Sequence, residues 1–259
     1  MSAELLSKAL EYCQILAETH RNDLLRDKAR EALSISPGHS TALMYLCRSS
    51  YNLGLYDELE ETVRLAIKLH PQEPHFYFYL YLFFLHIGGA AYLDARRAIG
   101  EALRLRPESA LYHRELGEVY LINWEPEKAR ECLQEAVRLD PNNAETISRL
   151  GLAELRCGNH NQAIQLAHNA LMLSPDNQSV YNNAGQIFLF SGELDEAEKL
   201  FREALRRFPT YEYFQRQLSN CEREKSDRRE RQLKNLRYTP LVLRQKGRKR
   251  FFDEEASTS

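Results

Sequence analysis

Small and apolar residues return along this chain at fixed distances from a series of prolines. Pro37, Pro71, Pro107, Pro141, Pro175 and Pro209 are separated by 34, 36, 34, 34 and 34 residues. Five residues before each proline stands an alanine: Ala32, Ala66, Ala102, Ala136, Ala170 and Ala204. Twelve before stand Leu25, Leu59, Ala95, Ala129, Ala163 and Ala197. Two before stand Ile35, Leu69, Leu105, Leu139 and Leu173, with Arg207 breaking the run. Twenty-four before, five of the six units carry a small residue: Cys13, Cys47, Gly117, Gly151 and Gly185. Small residues at fixed intervals predict close approach of backbones. Proline cannot continue a helix, so it ends each unit. Gly54, Gly158 and Gly192 mark a turn inside the unit. Each unit therefore reads as helix, short turn, helix, stop, and a period in this range predicts a stacked-repeat protein.

The residues that carry the period include Leu116-Gly117 with Tyr120, Ala129, Ala136 and Pro141. Tyr181, Gly185, Ala197, Phe201, Ala204 and Pro209 repeat them. This pattern resembles the tetratricopeptide repeat, and the resemblance covers about residues 6–211. It implies an all-α, right-handed helical solenoid of about six helix-turn-helix repeats with a C-terminal capping helix. It also implies that the first helix of each repeat lines a concave inner surface that binds other proteins. The units fall at roughly 6–39, 40–73, 74–109, 110–143, 144–177 and 178–211. The first departs most from the pattern, with His20 where glycine is usual. The third is two residues longer, and the extra pair is placed in the turn Gly88-Gly89-Ala90-Ala91, where an insertion costs little. In the fourth, Trp124 replaces the turn glycine and Pro126 suits the first position of the next helix. Trp124 either packs over the neighbouring enlarged turn or stands free as an anchor for a partner.

Residues 1–211 are thus expected to form the solenoid, 212–236 a capping helix, and 237–259 a flexible tail that is basic and then acidic. In the capping helix Phe214, Leu218 and Cys221 keep a helical spacing that seals the last repeat. Pro240 favours an extended backbone before it, so Tyr238–Leu243 reads as extended.

The inner face is what remains of each first helix once the repeat-defined core positions are assigned. In the third unit Phe76, Tyr77, Leu80, Tyr81, Phe83 and Phe84 serve the core. Phe78, Tyr79, Leu82 and Leu85 are left without a slot, and a helix apolar all round must bury both faces or offer one to a partner. At matching phase the second unit supplies Tyr45, Arg48 and Tyr51, and the fourth supplies Arg114 and Glu118. The fifth supplies Arg149 and Arg156, and the sixth Asn182, Asn183 and Gln186. The expected groove is aromatic at one end, charged in the middle and amide-rich at the other. Aromatic pockets supply contact area, and amides can bond an extended peptide backbone. The alternative is that the chain covers this face itself, with Leu241-Val242-Leu243 as the inserting segment. No paired Lys and Asn set for clamping a C-terminal carboxylate stands at the inner sites of units four to six. The function expected is a non-catalytic scaffold or adaptor that holds a peptide segment or short helix of a partner protein. A chaperone-like holder of an aggregation-prone client is the alternative within binding proteins.

Charge changes this picture at one end. The formal net charge of the 259 residues is −2, but residues 222–250 carry +8, residues 251–259 carry −3 and the repeat body −7. The basic cluster Arg244, Lys246, Arg248, Lys249 and Arg250 opens a further alternative, a nucleic-acid-associated protein that uses this tail. Membrane-surface contact through Phe251 and Phe252 is another. The most apolar stretch, Phe76–Ile87, is twelve residues long, short of the ~20 needed to span a bilayer. With no charged-then-apolar leader, a cytoplasmic location is expected. The five cysteines contain no Cys-x-x-Cys and are expected to be reduced. No phosphate loop, His-Glu-x-x-His or Gly-x-Ser-x-Gly motif occurs, and the eight histidines are dispersed. No enzyme activity, cofactor or metal is therefore expected.

Overall fold

The computed structural model describes residues 2–255, with the side chains of all but Ala90 and residues 235–255. The first unit is α1 (Ser2–Glu18) with α2 (Asn22–Ile35), and the second α3 (Ser40–Asn52) with α4 (Tyr56–Leu69). The third is α5 (Pro74–Ile87) with α6 (Tyr92–Leu105), joined through a 3-10 turn at Gly89–Ala91. The fourth is α7 (Ala110–Ile122) with α8 (Pro126–Leu139), and the fifth α9 (Ala144–Arg156) with α10 (His160–Leu173). The sixth is α11 (Gln178–Ser191) with α12 (Leu194–Arg207), and α13 (Glu212–Glu255) follows. No strand occurs among the described residues.

Every second helix stops two residues before its proline, because the residue preceding a proline is pushed out of the helical region. Several first helices start on a side-chain cap. Ser109 accepts from the Tyr112 amide, Asn143 from Thr146, and Asn177 from Ser179 and Val180. The turns inside the units share one backbone device. Gly54, Gly88, Gly158 and Gly192 have positive φ of 70°, 66°, 84° and 87°, and His20 and Trp124 do so too at 55° and 60°; Gly88 differs in ψ, −167°, where the enlarged turn begins.

The six alanines five before the prolines, and the six residues twelve before, are all fully buried. The small residues let side chains of second helices press onto the backbone. A Cβ on Gly117 would stand 2.6 Å from Leu133, and one on Gly185 would stand 2.3 Å from the ring edge of Phe201. The third unit differs. Counted forward from Pro71, the position of Cys47, Gly117, Gly151 and Gly185 is held by Tyr81, fully buried, whose hydroxyl donates to Glu115 at 2.9 Å. The two extra residues of the turn shift α6 against α5, so reading backward from Pro107 lands on Phe83 instead.

The odd-numbered helices pack side by side, α1 on α3, α3 on α5, α7 on α9 and α9 on α11, while the even-numbered ones make their main contacts with odd neighbours. The odd layer is therefore the tighter, inner side of the curve. Its buried face repeats. Five residues after each proline lie Ala42, Phe76, Tyr112, Thr146, Val180 and Phe214, all buried. Twelve after lie Ser49, Phe83, Val119, Ala153, Ile187 and Cys221, also buried. Phe214 and Cys221 belong to α13, so the cap is the first helix of a seventh unit. At the other end Ile15 of α1, at the same position, is 55% exposed, because no described helix lies on that face.

Beyond its docked part α13 stays helical to Glu255, through the stretch expected to be extended. Pro240 removes one helical hydrogen bond, but Leu241, Leu243, Arg244, Gln245 and Lys246 are good helix formers. No helix among the described residues is long and apolar enough to cross a membrane.

Candidate functional site

On the inner side of the odd layer, three chemically distinct stretches follow one another. The first belongs to α5. Phe78 is half-buried, with ring centroids 5.9 Å from Tyr81 and 5.6 Å from Tyr112. Leu82 is half-buried on the same cluster, Tyr79 packs toward Leu43 and Cys47, and burial pushes the Tyr79 phenol well up. Leu85 is exposed. Tyr45 is half-buried against the Cys13–Leu25 cluster, and Arg48 donates to the Ala17 carbonyl at 2.9 Å, capping α1.

The middle stretch joins α7 to α9. Arg149 lies at its centre, with Nη2 2.8 Å from Glu145, Nη1 3.5 Å from Glu115 and Nε 3.5 Å from Glu118. Arg114 adds a contact to Glu115 at 2.9 Å. Side-chain exposure is 18% for Arg149 and 13% for Glu115, so water screens the cluster only in part. Two guanidinium groups face three carboxylates. Burial, opposed by Arg149, raises the Glu118 carboxyl, and Glu115 pushes it the same way. Burial alone would lower the Arg149 guanidinium, but Glu118, Glu115 and Glu145 together raise it. Arg156 donates to the Leu121 carbonyl and lies 4.8 Å over the ring of Trp124. Trp124 itself is 77% exposed and does not pack over the enlarged turn.

The third stretch is amide-rich. Gln186 donates to Asn182 at 3.2 Å and to the Tyr213 hydroxyl at 3.0 Å, tying α11 to α13. Asn183 is 8% exposed and donates to Ser148 at 3.0 Å, so it spans α11 and α9 from within. Asn182 and Gln186 are the amides that reach the surface here.

The residues expected at the groove thus lie along one layer, and the structure adds Glu115, Glu145, Ser148 and Tyr213 to them. Glu115 stands eight residues after its proline, the phase that holds Tyr45, Tyr79, Arg149 and Asn183, and that phase is its signal in the sequence. The side chains of Arg244, Lys246, Arg248, Lys249 and Arg250, and of Leu241–Leu243, lie outside the described residues. All five cysteine thiols are free. Among the described residues no three His, Cys, Asp or Glu side chains are grouped to hold a metal ion.

Comparison with known proteins agrees with this architecture. Two family models, both described as tetratricopeptide repeat, match residues 110–143 and 154–221. No curated protein matches the chain in sequence. Among solved structures, a chain of the APC/C hetero-tetramer Cut9–Hcn1 superposes with a TM-score of 0.74 at 18% identity. That match covers 83% of this chain but only 42% of the other. PilF of Pseudomonas aeruginosa gives a TM-score of 0.70 at 17% identity over 85% of this chain and 99% of its own. YrrB, described as having an unusual peptide-binding site, gives 0.57 at 17% identity over 73% and 96%. At such identities the likeness is one of fold. With the six-fold helix-turn-helix period and the buried alanines, these matches identify residues 110–143 and 154–221 as tetratricopeptide repeats and the fold as that of a tetratricopeptide-repeat solenoid.

Proposed function

We propose that this protein is a non-catalytic scaffold that holds a peptide segment or short helix of a partner protein along the inner face of its odd-numbered helices. The apolar face of α5 carries this reading. Phe78, Tyr79 and Leu82 pack in part on α3 and α7 yet stay only half-buried, and Leu85 is exposed. Large apolar side chains offer contact area at small entropic cost. Arg114 and Arg149 of the middle stretch are committed to internal carboxylates, so they orient a partner more than they anchor it. Asn182 and Gln186 then supply donors and acceptors for a backbone. The fold likeness to YrrB, a peptide-binding repeat protein, supports the same use of this surface.

The test is affinity capture with the full chain beside a Leu82→Glu, Leu85→Glu variant whose helicity is unchanged. Phe78 is left intact, because it also packs on Tyr81 and Tyr112. A set of proteins retained by the wild type and lost from the variant is expected. Identical sets on both baits would remove α5 as the binding surface.

A further inference from the structure

At its amide-rich end the groove opens into a cleft of about 460 Å3 between the C-terminal turn of α11 and α13. Tyr213, Gln217, Asn220 and Glu224 succeed one another at helical spacing, one stripe of α13 that continues the contact made by Gln186. Across from them stand Phe190 and Ser191. Two guanidinium groups, Arg223 and Arg228, line the same cleft.

Among the described residues neither of these guanidinium groups is held by a carboxylate. Arg223 donates only to the side-chain oxygen of Asn220 at 3.3 Å, and Arg228 to the Gly192 carbonyl at 3.1 Å. Glu224, the carboxylate of the lining, has its own cation in Arg231 at 3.7 Å. The Ser191 hydroxyl is buried and has no hydrogen-bond partner. Phe190, at the mouth, is 67% exposed. The middle of the groove contrasts with this, since Arg114 and Arg149 there already have carboxylates.

We propose that this cleft receives a carboxylate of the bound partner segment, with an apolar side chain of the segment resting on Phe190. The inference deepens the groove reading and depends on it. Planar guanidinium groups bind carboxylates in forked pairs, and the unpartnered serine hydroxyl adds a donor. The site therefore gives the groove a direction: the apolar part of the partner lies toward α5 and its acidic part toward α13. The carboxylate has two sources, an Asp or Glu side chain and a free C-terminus.

Selection of short random peptides against the full chain tests this, with one library displayed by its N-terminus so that C-termini are free, and one displayed by its C-terminus so that they are not. Selected peptides are then made synthetically and measured against wild type, an Arg223→Gln, Arg228→Gln variant and the Leu82→Glu, Leu85→Glu variant. The expected binders carry an acidic residue or a required free C-terminus. They lose about tenfold or more in affinity when that carboxylate is amidated or the arginines are replaced. Binders confined to the free-C-terminus library assign the terminal carboxylate, and acidic binders from both libraries assign a side chain. Peptides that ignore amidation and the arginine changes but fail on the α5 variant overturn the cleft and leave the groove standing. Peptides indifferent to both variants, or none selected, overturn both.

Discussion

His20 and Trp124 hold a left-handed backbone, φ 55° and 60°, that other units give to glycine. A side chain there crowds its own carbonyl, at about 1 kcal/mol or more. His20→Gly is therefore expected to stabilise the protein by roughly 0.5–1 kcal/mol after the added freedom of the unfolded glycine is offset. The urea midpoint measures this. Trp124→Gly gains less, because it also gives up the Arg156 stack. The opposite sign is expected at Gly185. Its Cβ would clash with the Phe201 ring edge at 2.3 Å, so Gly185→Ala destabilises by about 1–3 kcal/mol. The buried thiols make a third residue-level prediction. Burial lifts Cys13 from 9.0 to about 11 and Cys47 from 9.0 to about 12. A folded value above the unfolded one means that the folded state prefers the protonated thiol. Its contribution is complete below pH ~9 and falls away between there and pH ~12 as only the unfolded thiols ionise. Alkylation of Cys13 and Cys47 at pH 8 should therefore wait for unfolding, and mass spectrometry of the modified peptides reads it directly.

One repeat position has different fates in different elements. Ile187 in α11 is fully buried and Ile15 in α1 is exposed, though both stand at the same place in their units. Ile187→Lys should unfold its unit, since a charge would be buried without a partner, while Ile15→Lys should stay within about 0.5 kcal/mol of wild type. Circular dichroism melts of the two variants separate these outcomes. The same comparison shows what was legible in the sequence. Helix ends were, because proline forbids helix at the residue before it. So were the buried alanines, because only a small side chain fits where second helices approach. The register of α5 was not legible from Pro107, since an insertion in a turn moves every position upstream of it. Counted from Pro71, Tyr81 falls into place at the small-residue site. Nor was the commitment of Arg114 and Arg149 to Glu115 and Glu145 legible. The period places them on the inner face, but their partners depend on the distance between α7 and α9, which no period encodes. The cleft by Arg223 and Arg228 was hidden because α13 reads by composition as a charged cap, not as a seventh first helix.

At the scale of the whole molecule, a solenoid has no single core, and its stability is a chain of nearest-neighbour interfaces. The Arg149 cluster sits at one such joint, between the fourth and fifth units, in the middle of the proposed groove. Replacing Arg149 by alanine leaves Glu115, Glu118 and Glu145 facing one another, with Arg114 beside Glu115 and Arg156 acting on Glu118 as the remaining cations. The cost lies between that of an exposed pair and a buried one, about 2 kcal/mol. Because the loss falls on one joint, it should weaken the coupling of the two halves more than either half. Hydrogen exchange should show α7 and α9 losing protection while α3 and α11 keep theirs, and urea unfolding should broaden toward two steps. Acid should repair part of the damage. Glu118 is already raised in the wild type and is raised further without Arg149, so the folded state gains as pH falls and that carboxyl is protonated. A deficit smaller at pH 5 than at pH 7 confirms that carboxylate repulsion is its source. A deficit equal at both values would mean that Arg149 acts at this joint through packing alone, and the charged middle of the groove would then hold no stored repulsion for a cationic partner to relieve.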